Sequence, residues 1–171
     1  MRIYLIGFMA VGKSSMGQHV ADLLNVTFMD TDTMIESETA TSIAGIFDLQ
    51  GEHQFREIEA EVIRQTTIYD KALIATGGGL PCHHDNMAWM NDHGITMYLS
   101  WPEDVLIQHV LNQKSSRPLL SELDATQARE KIELLLSERK PFYEMAAMTL
   151  QLKGIFENDL LLLEKACKYI W

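Results

Sequence analysis

The sequence predicts an α/β fold, a three-layer arrangement with a parallel sheet between helices, on three observations. Short β-rich runs alternate with helical patterns along the 171 residues, two of those runs are apolar without interruption, and a glycine-rich turn joins the first run to the first helix.

Residues 2–6 open the sheet, and Ile3-Tyr4-Leu5-Ile6 is apolar throughout, as a central strand covered on both faces must be. A helix is expected over 13–24, a strand over 26–29, and helices over 42–49 and 52–67. The apolar run 72–75 and the run 95–99 supply two more strands, and 102–111 reads as a helix. Residues 113–118 are polar and interrupt the helical signal without supplying a strand, which makes about 112–124 the candidate lid. Ala128, Ile132, Leu135 and Leu136 recur at helical spacing over 125–137, followed by a weaker strand at 148–152 and a helix over 157–169. No repeat or linker divides the chain, so residues 1–171 are expected to form one domain.

Composition narrows the function classes. At 47% apolar residues the chain can fill one sizeable core, and no run approaches the ~18 apolar residues that a membrane-spanning helix needs. No membrane partner is expected, and a cytoplasmic location follows from an apolar amino-terminal stretch much shorter than a signal peptide's. A net charge of −10 repels nucleic acid, so bound phosphate must be held by a local cluster of donors. Cys82 and Cys167 lie in no metal-ligand spacing and read as free thiols, and the adjacent His83 and His84 more simply begin a surface helix.

Gly7-Phe8-Met9-Ala10-Val11-Gly12-Lys13-Ser14 fits G-x-x-x-x-G-K-[ST] between a strand and a helix. In that context the loop's N–H groups and the helix start surround phosphates, Lys13 adds a mobile charge and the Ser14 hydroxyl meets Mg²⁺. ATP and Mg²⁺ are therefore expected, with Ala10, Val11, Gly12, Lys13, Ser14 and Ser15 at the nucleotide. A carboxylate at a strand end should serve the metal, and Asp30 ends the run 26–29. Asp32, two residues on, would share a face with Asp30 in extended chain, although Asp30-Thr31-Asp32-Thr33 equally suits a helix cap.

Downstream, Arg56 stands in a charged helix where Glu52 or Glu59 could occupy it. Gly77, Gly78 and Gly79 follow an apolar strand, where open α/β sheets bind ligands, and also suit an ordinary turn. Arg117, in the candidate lid, and Arg139, where Pro141 is expected to end a helix, are each a surface charge or an anion contact. The ordered set is distinctive: the loop at 7–14, Asp30-Thr31-Asp32, Phe55-Arg56, Gly77-Gly78-Gly79, Arg117-Pro118-Leu119-Leu120 and Arg139-Lys140-Pro141-Phe142-Tyr143. It resembles the shikimate kinase family from residue 2 to about residue 152.

The resemblance implies a five-stranded parallel sheet in the order 2-3-1-4-5 within a P-loop kinase fold, and phosphorylation of the 3-hydroxyl of shikimate in aromatic amino acid biosynthesis. It implies that Asp32 binds and helps deprotonate the reacting hydroxyl, and that Arg56 and Arg139 grip the shikimate carboxylate. The glycines at 77–79 would line the substrate, Gly78 through its backbone. Lys13 and Arg117 would act on the phosphates, with Ser14 and Asp30 at the magnesium, Asp30 through water. A substrate-binding region is expected at about 31–60, and a monomer. Two positions depart from the family pattern. Ala10 replaces a third loop glycine, and Val110 stands where many members place an arginine that stacks on adenine, so His109 or Lys114 is left as a base contact. A GTPase switch is disfavoured: Asp48-Leu49-Gln50-Gly51 spells D-x-x-G but ends a helical pattern, and no N-K-x-D occurs. A kinase of another small acid, such as gluconate, would not account for the two arginines and the glycine triplet.

Overall fold

The computed structural model describes residues 1–113, 120 and 123–171. Its strands are β1 (Arg2–Ile6), β2 (Thr27–Asp30), β3 (Ala72–Ala75), β4 (Ile95–Ser100) and β5 (Met148–Gln151). They pair in parallel in the order β2-β3-β1-β4-β5, the order the resemblance implies. In β1 and β3, successive residues from Ile3 to Ile6 and from Ala72 to Ala75 are buried, so side chains pointing to both faces are covered. The edge strand β5 instead alternates half-buried and exposed residues.

Among the described residues seven α-helices connect and cover the strands: α1 (Lys13–Leu24), α2 (Thr31–Thr39), α3 (Ile43–Gln65), α4 (Asn86–His93), α5 (Glu103–Asn112), α6 (Ala125–Tyr143) and α7 (Phe156–Ile170). Helix α1 has the expected bounds and packs between the sheet and α7. Helix α6 begins in a capping box, where the Asp124 side chain accepts from the Gln127 N–H and the Gln127 side chain accepts from the Asp124 N–H. None of the helices among the described residues is long and apolar enough to cross a membrane.

The helices expected at 42–49 and 52–67 are both present, taken together as α3 and separated at Gly51, whose φ of 80° no helical residue adopts. The helix cap weighed as the alternative at 30–33 is the arrangement found: the Asp30 carboxylate accepts from the N–H groups of Asp32 (3.0 Å) and Thr33 (3.3 Å) and turns the chain at once into α2. Asp32 therefore sits in a first helical turn, not in the extended chain used to place it beside Asp30. A further change concerns Pro141, which does not end α6 but lies inside its last turn. The buried Tyr143 anchors that turn and offsets the missing proline N–H.

One core spans the sheet and its covering helices. Helices α2 and α3 close over a separate small core of Ile35, Ile46, Phe55 and Val62, which sets the angle at which they stand beside the carboxyl ends of β2 and β3.

Candidate active site

The phosphate loop is anchored from below by Phe8, Val11 and Met16, all buried. Gly12, with φ of 89°, makes the turn into α1 and offers no side-chain cap, so the first-turn N–H groups stay directed at the loop cavity. The Lys13 ammonium is buried and donates to the carbonyls of Gly7 and Phe8, each at 2.8 Å, which poises the charge inside the loop. Ala10 holds φ of 65°, a left-handed conformation that costs an L-residue roughly 1–2 kcal/mol. The alanine at this position is thus accommodated with strain.

Ser14 Oγ donates to Asp30 Oδ2 at 2.5 Å, while Asp30 Oδ1 is engaged by the α2 cap. A hydroxyl and a carboxylate oxygen side by side form the hard, oxygen-only set that suits Mg²⁺ completed by water. Among the described residues there is no cluster of three or more His, Cys, Asp or Glu side chains able to hold a metal by themselves.

The glycine triplet carries the second half of the site. Thr76 Oγ1 donates to the Leu5 carbonyl and the Gly77 N–H donates to the buried Thr31 Oγ1, so the loop's start is tied to β1 and α2. A side-chain carbon at Gly77 would lie 2.8 Å from both Asp32 Oδ1 and Glu59 Oε1, and one at Gly79 would lie 2.6 Å from Arg56 Nη1. Only glycine lets these charged groups close on the loop. A carbon at Gly78 would meet the Met9 N–H nitrogen at 3.2 Å and Arg139 Nη1 at 3.7 Å. The triplet therefore packs directly against the phosphate loop. Among the described residues the N–H groups of Gly78 and Gly79 donate to nothing.

Arg56 pairs with both acidic neighbours, Glu52 at 2.8 Å and Glu59 at 2.5 Å, rather than one of them. Its hydrogen bond holds the exposed Glu52 carboxyl below the usual range, whereas burial pushes Glu59 up to about 7 against the pull of Arg56. The two carboxylates differ because Glu59 is 1% exposed and Glu52 is open to water. Since its folded value lies above the unfolded 4.5, Glu59 adds stability that is complete below about pH 4.5 and is lost as pH rises through about 7. The Tm of Glu59→Gln should therefore gain on that of the wild type between about pH 5 and about pH 8. Parallel curves would mean that Arg56 offsets the burial completely.

Arg139, on α6, is buried beside the Phe8 ring at 5.8 Å. Cys82 is free, as expected, and burial pushes its thiol up to about 11, which leaves it a poor nucleophile. Arg117 and Lys114, with most of the lid at 112–124, lie outside the described residues.

A single cleft of about 400 Å³ runs from the phosphate loop, Ala10 to Ser15, past Asp32 and Gly78. Its far end is walled by Trp101, His109, Gln113 and Phe156. Val110 is fully buried in the core and does not face it. Sequence reasoning considered His109 but missed Trp101 and Phe156. An aromatic pair after β4 and after β5 was the available signal, and nothing local relates those positions. Arg56, Gly77, Gly79 and Arg139 stand around the Asp32 end without lining the cleft itself.

The shikimate kinase family model matches residues 9–160. A shikimate kinase of Salinibacter ruber is 39% identical over 155 residues, covering 88% of this chain and 76% of that protein. Among solved structures, the shikimate kinase of Bacteroides thetaiotaomicron superposes with a TM-score of 0.88 at 32% identity over 98% of both chains. That of Acinetobacter baumannii, solved in complex with shikimate, gives 0.84 at 32% identity over 98% of this chain and 93% of the other. With the strand order, the loop at 7–14 and the charged glycine loop all in place on one scaffold, this chain belongs to the shikimate kinase family.

Proposed function

We propose that this protein transfers the γ-phosphoryl group of ATP to the 3-hydroxyl of shikimate, giving shikimate 3-phosphate and ADP. The observation that carries the reading is the contact of Gly78 with Met9, which sets the arginine-flanked glycine loop against the phosphate loop with Asp32 beside both. Donor and acceptor are thereby held at neighbouring points of one cleft, and orientation of this kind supplies much of the catalysis of phosphoryl transfer.

Lys13 and the loop N–H groups bind the phosphates. Ser14 and Asp30 hold Mg²⁺, which neutralises charge on the phosphate oxygens when bound. Asp32 orients the attacking hydroxyl and accepts its proton. Arg56 and Arg139 pair with the acceptor carboxylate, and Gly78 and Gly79 present N–H donors to the acceptor from the facing loop. Gly77 leaves the space that Asp32 and Glu59 occupy. Residues 31–60, which contain α2 and most of α3, form the acceptor side, and Arg117 offsets developing charge from the lid. Coupled ADP release with shikimate, gluconate and nucleoside monophosphates tests the reading, and turnover confined to one of the latter two overturns it.

The base lies at the aromatic end of the cleft. Trp101 and His109 meet edge to face at 5.1 Å, and the loop before Phe156 is braced by the buried Asp159, whose carboxylate accepts from the N–H groups of Lys153 and Gly154 at 2.8 Å each. The indole N–H of Trp101 is buried and unpartnered among the described residues, so the ring offers the base its surface and not this donor. Base–aromatic stacking is worth about 1–3 kcal/mol, so Phe156→Ala should raise the ATP KM about fivefold or more with the shikimate KM little changed. An unchanged ATP KM would remove Phe156 from the base site.

A further inference from the structure

The hydroxyl of Tyr143 is enclosed yet reaches the acceptor site. It donates to the Gly78 carbonyl at 2.5 Å, and Arg139 Nη1 stands 3.7 Å from where a side-chain carbon on the same Gly78 would lie. Arg139 and Tyr143 are four residues apart on α6 and share its inner face. The Tyr143 ring is 0% exposed and packs on Tyr98 with centroids 5.3 Å apart, which leaves the hydroxyl little freedom of position.

We propose that Tyr143 is a positioning residue: its hydroxyl ties the Gly78 carbonyl to α6 one turn from Arg139, so that the glycine loop and the guanidinium on α6 reach the acceptor in one fixed geometry. The proposal rests on the assignment of shikimate as acceptor. Burial pushes the phenol far above its ordinary value, so the donor survives at any working pH. The same carbonyl belongs to the residue that packs on Met9, and a shift of Gly78 would therefore move the acceptor relative to the phosphate loop as well.

Tyr143→Phe keeps the ring and removes the hydrogen bond to Gly78. The shikimate KM should rise about fivefold, the effect of one neutral hydrogen bond of about 1 kcal/mol, while the ATP KM stays within about twofold. In an Arg139→Ala background the same substitution should have a smaller effect on the shikimate KM, because part of what it disturbs is already gone. An unchanged shikimate KM, equal rises in both KM values, or full additivity with Arg139→Ala would each overturn the clamp. The wild type is assayed alongside: if it fails to turn over shikimate, the acceptor assignment falls and the clamp with it, whereas an active wild type with an indifferent Tyr143→Phe sinks the clamp alone.

Discussion

Asp32→Asn should lower kcat by about 10²- to 10⁴-fold, the usual range for loss of a positioned proton acceptor, with ADP binding still measurable. Asparagine keeps the shape and the backbone N–H that the Asp30 cap uses, so α2 should start where it does now. What it loses is the capacity to take the hydroxyl proton. The carboxylate lines the same cleft as Lys13 and faces Gly77, which keeps it within the space between phosphates and acceptor. Binding of ADP, followed by titration calorimetry, separates a chemical defect from a collapsed site. A fully active variant would remove Asp32 from the chemistry, and loss of ADP binding in parallel with kcat would assign it to the fold of the loop.

Arg139→Ala should raise the shikimate KM by about 10- to 100-fold and the ATP KM far less, since one charge-assisted contact is worth about 1.5–3 kcal/mol. This arginine gives a cleaner test than Arg56. Truncating Arg56 would strand Glu59, a carboxylate 1% exposed, without its partner, and a destabilised fold would blur the kinetics. Arg139 rests on the uncharged Phe8 ring and has no ion pair among the described residues, so its removal strands no paired carboxylate. Initial rates over a grid of both substrates give the two constants. Equal changes in the two would show that Arg139 serves the nucleotide as much as the acceptor.

Glu59 links these two residues to the pH response. Its carboxylate fixes Arg56 from one oxygen and faces Asp32 across Gly77 with the other. Arg56 is held from this side by a charged Glu59, while Glu52 holds it from the other, yet the Glu59 charge costs folding stability because the site is dry. In the proposed role of Arg56, acceptor binding and maximal stability are thus drawn toward opposite sides of about pH 7.

Much of the scaffold could be read directly. The strands expected at 2–6 and 72–75 formed with those bounds, buried along the uninterrupted apolar runs 3–6 and 72–75, and the loop at 7–14 stands between β1 and α1 as its motif requires. These readings succeeded because each depends on neighbours a few residues away: alternation, helical period, glycine followed by lysine. Where a side chain chose between local alternatives, the reading faltered. Asp30 does end a strand, but Asp32 was placed beside it in extended chain, and the cap weighed as the alternative prevails and bends the chain into α2. Pro141 was expected to stop a helix, and Tyr143 holds the last turn past it.

By itself, then, the sequence determined the α/β scaffold, the grip on nucleotide phosphates and, through the order of its motifs, the family to which the chain belongs. The fold alone decided how the motifs meet. Gly78 touches Met9 and Tyr143, Gly77 receives Asp32 and Glu59 together, and Trp101 joins His109 and Phe156 at the far end of the cleft. Each of these meetings joins segments separated by tens of residues. Local periodicity carries no information about such distances, which are set by the parallel strand order and by helices packed across it.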